Sequence, residues 1–145
     1  MSSVANILRN KSTNIISVTP STSVYDALKL MAEKNIGSVI VASNGTYFGV
    51  VSERDYARKV ILQDKHSSET TVSEIMTTDL PWVSPLDSHE KCMKLMVDRH
   101  VRYLPVFDNG SLVGIISILD VIQATVDNQK ETIGDLQNFI SLNFG

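Results

Sequence analysis

A chain of 145 residues with 43% hydrophobic and 20% charged residues is long enough for a sizeable core and too apolar to stay disordered. Its formal net charge of -3 lacks the basic excess that binding to a phosphate backbone requires, so nucleic acid is not an expected partner. A single cysteine excludes an internal disulfide framework and a cysteine-built zinc site, and no apolar run approaches a membrane span.

In chain order, Val4-Ala5-Asn6-Ile7-Leu8 forms an apolar lead-in without the long apolar core of a secretion signal. Ile15-Ile16-Ser17-Val18 reads as a short strand that Pro20 stops. Val24, Ala27, Leu28 and Met31 recur at helical spacing, and Gly37 is the expected C-cap of that helix. Ser38 to Ala42 and Tyr47 to Val51 are strands joined through Asn44-Gly45. Asn-Gly between apolar runs is a strong hairpin signal, because a type I′ turn needs positive φ twice. A helix from Arg54 to Leu62 follows, then the polar stretch Gln63 to Thr71, read as a linker.

The pattern then returns. Val72-Ser73-Glu74-Ile75-Met76 is a second lead-in, and Cys92, Met93 and Met96 mark a helix whose start at Asp87 and Glu90 resembles a capping box. Arg102 to Phe107 and Leu112 to Ile116 form a hairpin around Asn109-Gly110, and Leu119 to Val126 a helix. Ile133, Leu136 and Ile140 give the tail a further amphipathic helix with an apolar stripe in need of a partner.

Displacing the sequence by 65 residues lays Pro20 on Pro85, Asn44-Gly45 on Asn109-Gly110, Gly49 on Gly114, Ser52 on Ser117 and Asp55 on Asp120, with no gap. The lead-ins match at a displacement of 68 instead. The chain is thus a duplication, divided as 1–62 (first repeat with its lead-in), 63–71 (linker), 72–126 (second repeat) and 127–145 (C-terminal helix). Each half alone is marginal in size. The expected fold is α+β, two β-α-β-β-α repeats packed by a pseudo-twofold.

Two junctions carry candidate chemistry. In Gly49-Val50-Val51-Ser52-Glu53-Arg54-Asp55 and Gly114-Ile115-Ile116-Ser117-Ile118-Leu119-Asp120, an apolar strand ends at a serine and a helix begins. Backbone N–H groups and a hydroxyl there suit a phosphate, and the aspartate offers two acceptor oxygens to a vicinal diol such as a ribose. The alternative is a plain cap, because Ser-x-x-Asp before a helix also serves as one. Arg54, Arg58 and Lys59 make the first copy basic, which suits an anionic ligand or simply a solvated helix face. Arg99 and Arg102 extend the cationic set near the second hairpin, where Tyr103 either stacks on a base or packs in its strand. Scattered histidines give no metal site, Cys92 reads as core, and no nucleophile has a paired base, so no catalysis is expected.

The doubled unit, with its Thr19-Pro20 and Ser84-Pro85 entries, Arg-Tyr-Leu-Pro-Val and Gly-h-h-Ser-x-x-Asp, resembles a tandem cystathionine β-synthase (CBS) domain pair. The run GVVSERDYARKVIL resembles the small standalone proteins of that type, which carry no catalytic domain. The resemblance implies a Bateman module that senses energy or redox state by binding an adenine nucleotide: AMP, with NADH or ATP as further candidates. It implies ribose contacts from Asp55 and Asp120, phosphate contacts from Ser52 and Ser117, and ribose neighbours at Thr19 and Ser84. Base reading would fall on backbone around Ile36 to Val39, including Gly37 and Ser38, and around Val101 to Leu104, including Arg102 and Tyr103. Leu119 stands where relatives often have glycine, which implies a crowded second cleft. A cytoplasmic homodimer acting on a regulated protein, with no resident cofactor and no membrane, completes the expectation. The alternative is a ligand-independent interaction module.

Overall fold

The computed structural model describes residues 2–11 and 15–144. The chain divides into two compact units, Thr13–Leu80 and the pair Met1–Ser12 with Pro81–Gly145.

In the first unit β1 (Ser17–Val18), β2 (Ser38–Ser43) and β3 (Thr46–Ser52) form a sheet in that order, β1 parallel and β3 antiparallel to β2. Asn44 and Gly45 take φ of 52° and 78°, the paired positive angles a type I′ turn needs. Helix α2 (Val24–Lys34) buries Val24, Ala27 and Met31 against Val39, Val41 and Val51 of the sheet. Its C-terminus differs from expectation: Asn35, with φ 54°, is the cap, since Asn tolerates the left-handed region and stands nearer than Gly37. The following helix, α3 (Glu53–Lys59), also stops earlier than its pattern suggested. Fully buried Val60 leaves helical geometry there, and a 3-10 turn at Ile61–Gln63 follows.

The second unit repeats the plan with α4 (His89–Arg99), β4 (Tyr103–Asp108) and β5 (Ser111–Ser117), and Val83 bridges in parallel to Val106. Ser88, not Asp87, is the N-cap of α4, its hydroxyl accepting from Lys91 N at 3.1 Å. Asp87 instead accepts the Ser84 amide at 2.8 Å and pairs with Lys91 at 3.0 Å. Cys92 is core, and burial pushes its thiol up to about 11. The C-terminal helix is one element, α5 (Ile118–Phe144, 27 residues), rather than two. Asp127 to Gln129 contain no glycine or proline to break it.

The Ser84 amide, and then Lys91, hold the Asp87 carboxyl below the usual carboxylate range. With the folded value depressed, its stabilisation is complete above the unfolded value of about 3.9 and is lost as pH falls through the folded value. Asp87→Asn is therefore expected to lower the urea midpoint at pH 7 and leave it unchanged at a pH below the folded value.

The displacements of 65 and 68 have a spatial meaning. Val72 N donates to Thr22 O and Ser73 N to Pro20 O; in the other unit Val4 N donates to Asp87 O and Ala5 N to Pro85 O. Likewise Val24 N donates to Thr70 O and His89 N to Ser2 O. The orphan N–H groups opening α2 and α4 are thus satisfied by the segment preceding a lead-in. The stretch read as linker is therefore hydrogen-bonded structure, with Thr70 buried. Helix α1 (Val4–Asn10) puts Val4 and Ile7 into the core of the second unit, and Val72 and Ile75 enter that of the first. Residues 2–11 precede the first repeat in the chain and pack with the second in space.

Candidate functional site

In the first unit β3 ends at Ser52, whose extended backbone (φ -129°) lets its hydroxyl accept the Asp55 amide at 3.1 Å. Asp55 Oδ2 accepts from Ser52 N at 2.9 Å and from Ser52 Oγ at 3.0 Å. Its Oδ1 lies 3.0 Å from Lys59 Nζ and 3.3 Å from Thr77 Oγ1. A carboxylate has about four lone-pair sites, so buried Asp55 is fully engaged as the chain stands. Lys59 Nζ also donates to Ile75 O at 2.8 Å. Gly37 O accepts Glu53 N at 3.1 Å, and buried Ser38 pairs with Ser52 across the sheet. Gly37, Ser38, Ser52, Asp55 and Lys59 therefore meet at one end of the sheet. Arg54 and Arg58 are exposed on the adjoining helix.

The second unit matches it bond for bond around the backbone. Ile118 N donates to Arg102 O at 2.9 Å, Tyr103 pairs with Ser117, and Asp120 N donates to Ser117 Oγ at 3.2 Å. Asp120 Oδ2 accepts Ser117 N at 2.8 Å. The cation differs. Lys11 reaches Asp120 Oδ2 at 2.8 Å and Ile115 O at 2.9 Å. Both contacts to Asp120 fall on one oxygen, and its side chain is 24% exposed against 11% for Asp55. Leu119 is 72% exposed and is not packed over the carboxylate within its unit.

Within its own unit Thr19 lies away from Ser52 and Asp55, and Ser84 away from Ser117 and Asp120. β1 runs parallel to β2 with Val18 opposite Val41, so Thr19 stands beside the Asn44-Gly45 end, roughly 13 Å along the strand from Ser38. Its hydroxyl bonds with Ser21 and Thr22 in a local turn. Ser84 follows Val83, the partner of Val106, and caps a turn with Leu86 and Asp87. Sequence reasoning missed Lys11 and Thr77. Lys59 could be paired with Asp55 by its spacing of four, whereas Lys11 reaches Asp120 only through the packing of α1.

Among the described residues no group of three or more His, Cys, Asp or Glu could hold a metal, and no helix is long and apolar enough to cross a membrane.

These junctions can be set beside known proteins. The CBS domain model matches twice, at residues 4–62 and 72–127. CBS domain-containing protein CBSX3 of Arabidopsis thaliana is 36% identical over 84% of the chain, which spans 62% of that longer mitochondrial protein. CBS domain-containing protein YhcV of Bacillus subtilis is 32% identical over 90% of both chains. A solved CBS-domain protein from Burkholderia ambifaria superposes with a TM-score of 0.83 at 45% identity, covering 88% of this chain and 96% of the other. The duplicated hairpins, the two Ser-x-x-Asp junctions and these similarities agree: the chain belongs to the CBS-domain family and carries two CBS repeats.

Proposed function

We propose that the chain is a non-catalytic regulatory module that binds an adenine nucleotide at its Ser-x-x-Asp junctions, AMP foremost and NADH or ATP as alternatives, and passes the signal to a protein partner in the cytoplasm. The observation that carries this reading is the duplicated junction itself, a carboxylate held by its own serine amide at the end of each hairpin. Asp55 and Asp120 would take ribose hydroxyls, and Ser52 and Ser117 would approach phosphate. The junctions differ in readiness. A hydroxyl arriving at Asp55 must displace Lys59 or Thr77, whereas Asp120 has acceptor capacity to spare. Arg54 and Arg58 at the first junction add attraction for an anion.

Isothermal titration of the ligand-free protein with AMP, ADP, ATP and NADH tests the reading. One of them is expected to bind, with affinity lost in Asp120→Ala or Asp55→Ala while the fold survives. Unchanged affinity in both variants would remove the assignment.

The saturation of Asp55 supports a second reading, in which the motifs act only as caps in a ligand-independent interaction module. Ser52→Ala then costs about 1 kcal/mol, and no nucleotide shifts the melting temperature.

A further inference from the structure

The two repeats reach the same ion pair by different routes. The displacement of 65 lays Lys59 on Ala124, and the lead-in displacement of 68 lays Lys11 on Asp79. Each repeat therefore has a lysine at one of these two places and not at the other. The fold brings both lysines to equivalent points. Lys59 Nζ lies 3.0 Å from Asp55 Oδ1, and Lys11 Nζ lies 2.8 Å from Asp120 Oδ2. Each also donates to a backbone carbonyl, Ile75 O at 2.8 Å and Ile115 O at 2.9 Å. Lys59 is exposed on α3, whereas Ala124 packs with Val121 in the core of its unit, where a lysine would bury its charge. The second repeat draws its cation from the end of α1 instead. What both repeats keep is the charge beside the carboxylate, not the tether that delivers it.

The surroundings make that charge matter more at the second junction. Arg54 and Arg58 of the first correspond to Leu119 and Gln123 of the second. Arg102 lends the second junction its carbonyl, which accepts Ile118 N at 2.9 Å, while its side chain is exposed. Lys11 is the cation in contact with Asp120. The Ser117 amide lies 2.8 Å from Asp120 Oδ2, so a phosphate drawn to the hydroxyl of that serine stands beside the carboxylate. A bare carboxylate at that range repels it. Paired with Lys11, the carboxylate is neutralised. An ammonium has three donors, and two of them serve Asp120 and Ile115, which leaves one for an incoming anion.

We propose that Lys11 is a specificity-determining residue of the second junction. Holding Asp120 Oδ2, it cancels the charge of the carboxylate and admits a phosphate-bearing ligand, while Oδ1 stays open to a hydroxyl. The inference rests on the nucleotide reading and adds to it the residue that lets this junction accept an anion.

Isothermal titration of the full chain with AMP and with adenosine tests it, scored on the binding that Asp120→Ala abolishes. Lys11→Met keeps the length of the side chain and removes its charge. AMP is expected to weaken roughly tenfold in that variant, the size of one partly screened charge contact, and adenosine to change little. Raising the salt should restore part of the AMP binding in Lys11→Met, because salt screens the repulsion. Lys11→Arg should keep the wild-type ratio of the two affinities. Val4 and Ile7 anchor α1 independently of Lys11, so hydrogen-exchange protection of the helix should persist in both variants. An equal loss for AMP and adenosine would make Lys11 a tether alone and overturn the proposal. If binding depends on Asp120 and the ratio is unmoved in Lys11→Met, the nucleotide reading stands and this inference falls. If neither ligand depends on Asp120, both fall together.

Discussion

Removing residues 1–11 is expected to unfold the second repeat, although those residues precede the first in the chain. Val4 and Ile7, 0% and 6% exposed, share a cluster with Val83, Cys92, Met96, Leu104 and Val106. Losing side chains of this kind costs about 2–5 kcal/mol each where the cavity cannot collapse. The truncation also removes the Val4–Asp87, Ala5–Pro85 and His89–Ser2 backbone bonds that hold the segment to its unit. Against a total stability of about 5–15 kcal/mol for a domain, a loss of this size is decisive. Hydrogen exchange read peptide by peptide should show protection collapsing across 81–126. Collapse confined to 15–80 would show instead that the lead-in completes the repeat it precedes.

The second large effect separates two glycines at one repeat position. A Cβ on Gly49 would sit 2.6 Å from the backbone oxygen of Thr77. That oxygen accepts Val50 N at 3.0 Å, and Thr77 N donates back to Val50 O at 2.9 Å. The clash cannot be relieved without breaking this bridge, so Gly49→Ala should cost about 3 kcal/mol from overpacking and lost hydrogen bonds together. At Gly114 the added carbon would meet the Cδ2 end of Leu8 at 2.8 Å. A side-chain terminus can turn aside, and Gly114→Ala should cost about 1 kcal/mol or less. Urea midpoints of the two variants decide the matter. Equal costs would mean that Thr77 yields as easily as Leu8.

What could be read along the chain was what few residues decide together. Asn44-Gly45 and Asn109-Gly110 placed both hairpins, since positive φ is a local demand that these residues meet cheaply. The apolar spacing of Val24, Ala27 and Met31 identified the buried face of α2. Ser52 and Ser117 were legible as strand ends and Asp55 and Asp120 as their partners, because a contact three residues apart is almost intrahelical. Local reading failed where two short-range signals competed. Asn35 took the C-cap from Gly37 and Ser88 the N-cap from Asp87, each decided by where helical backbone ended or began.

The duplicated order of strands and helices and the paired Ser-x-x-Asp junctions were thus determined by the sequence alone, because periodicity, turn chemistry and caps act over a few bonds. The tertiary structure decided which lead-in completes which repeat, since Val4 and Val72 are equally apolar and meet equivalent backbone carbonyls, Asp87 O and Thr22 O, in the two units. Within each unit it also set Thr19 apart from Ser52 and Ser84 apart from Ser117, because the parallel direction of the entering strand sends each to the turn end of its own sheet. Lys11 came to Asp120 across 109 positions for the same reason: a long-range ion pair exists only once packing has placed both backbones.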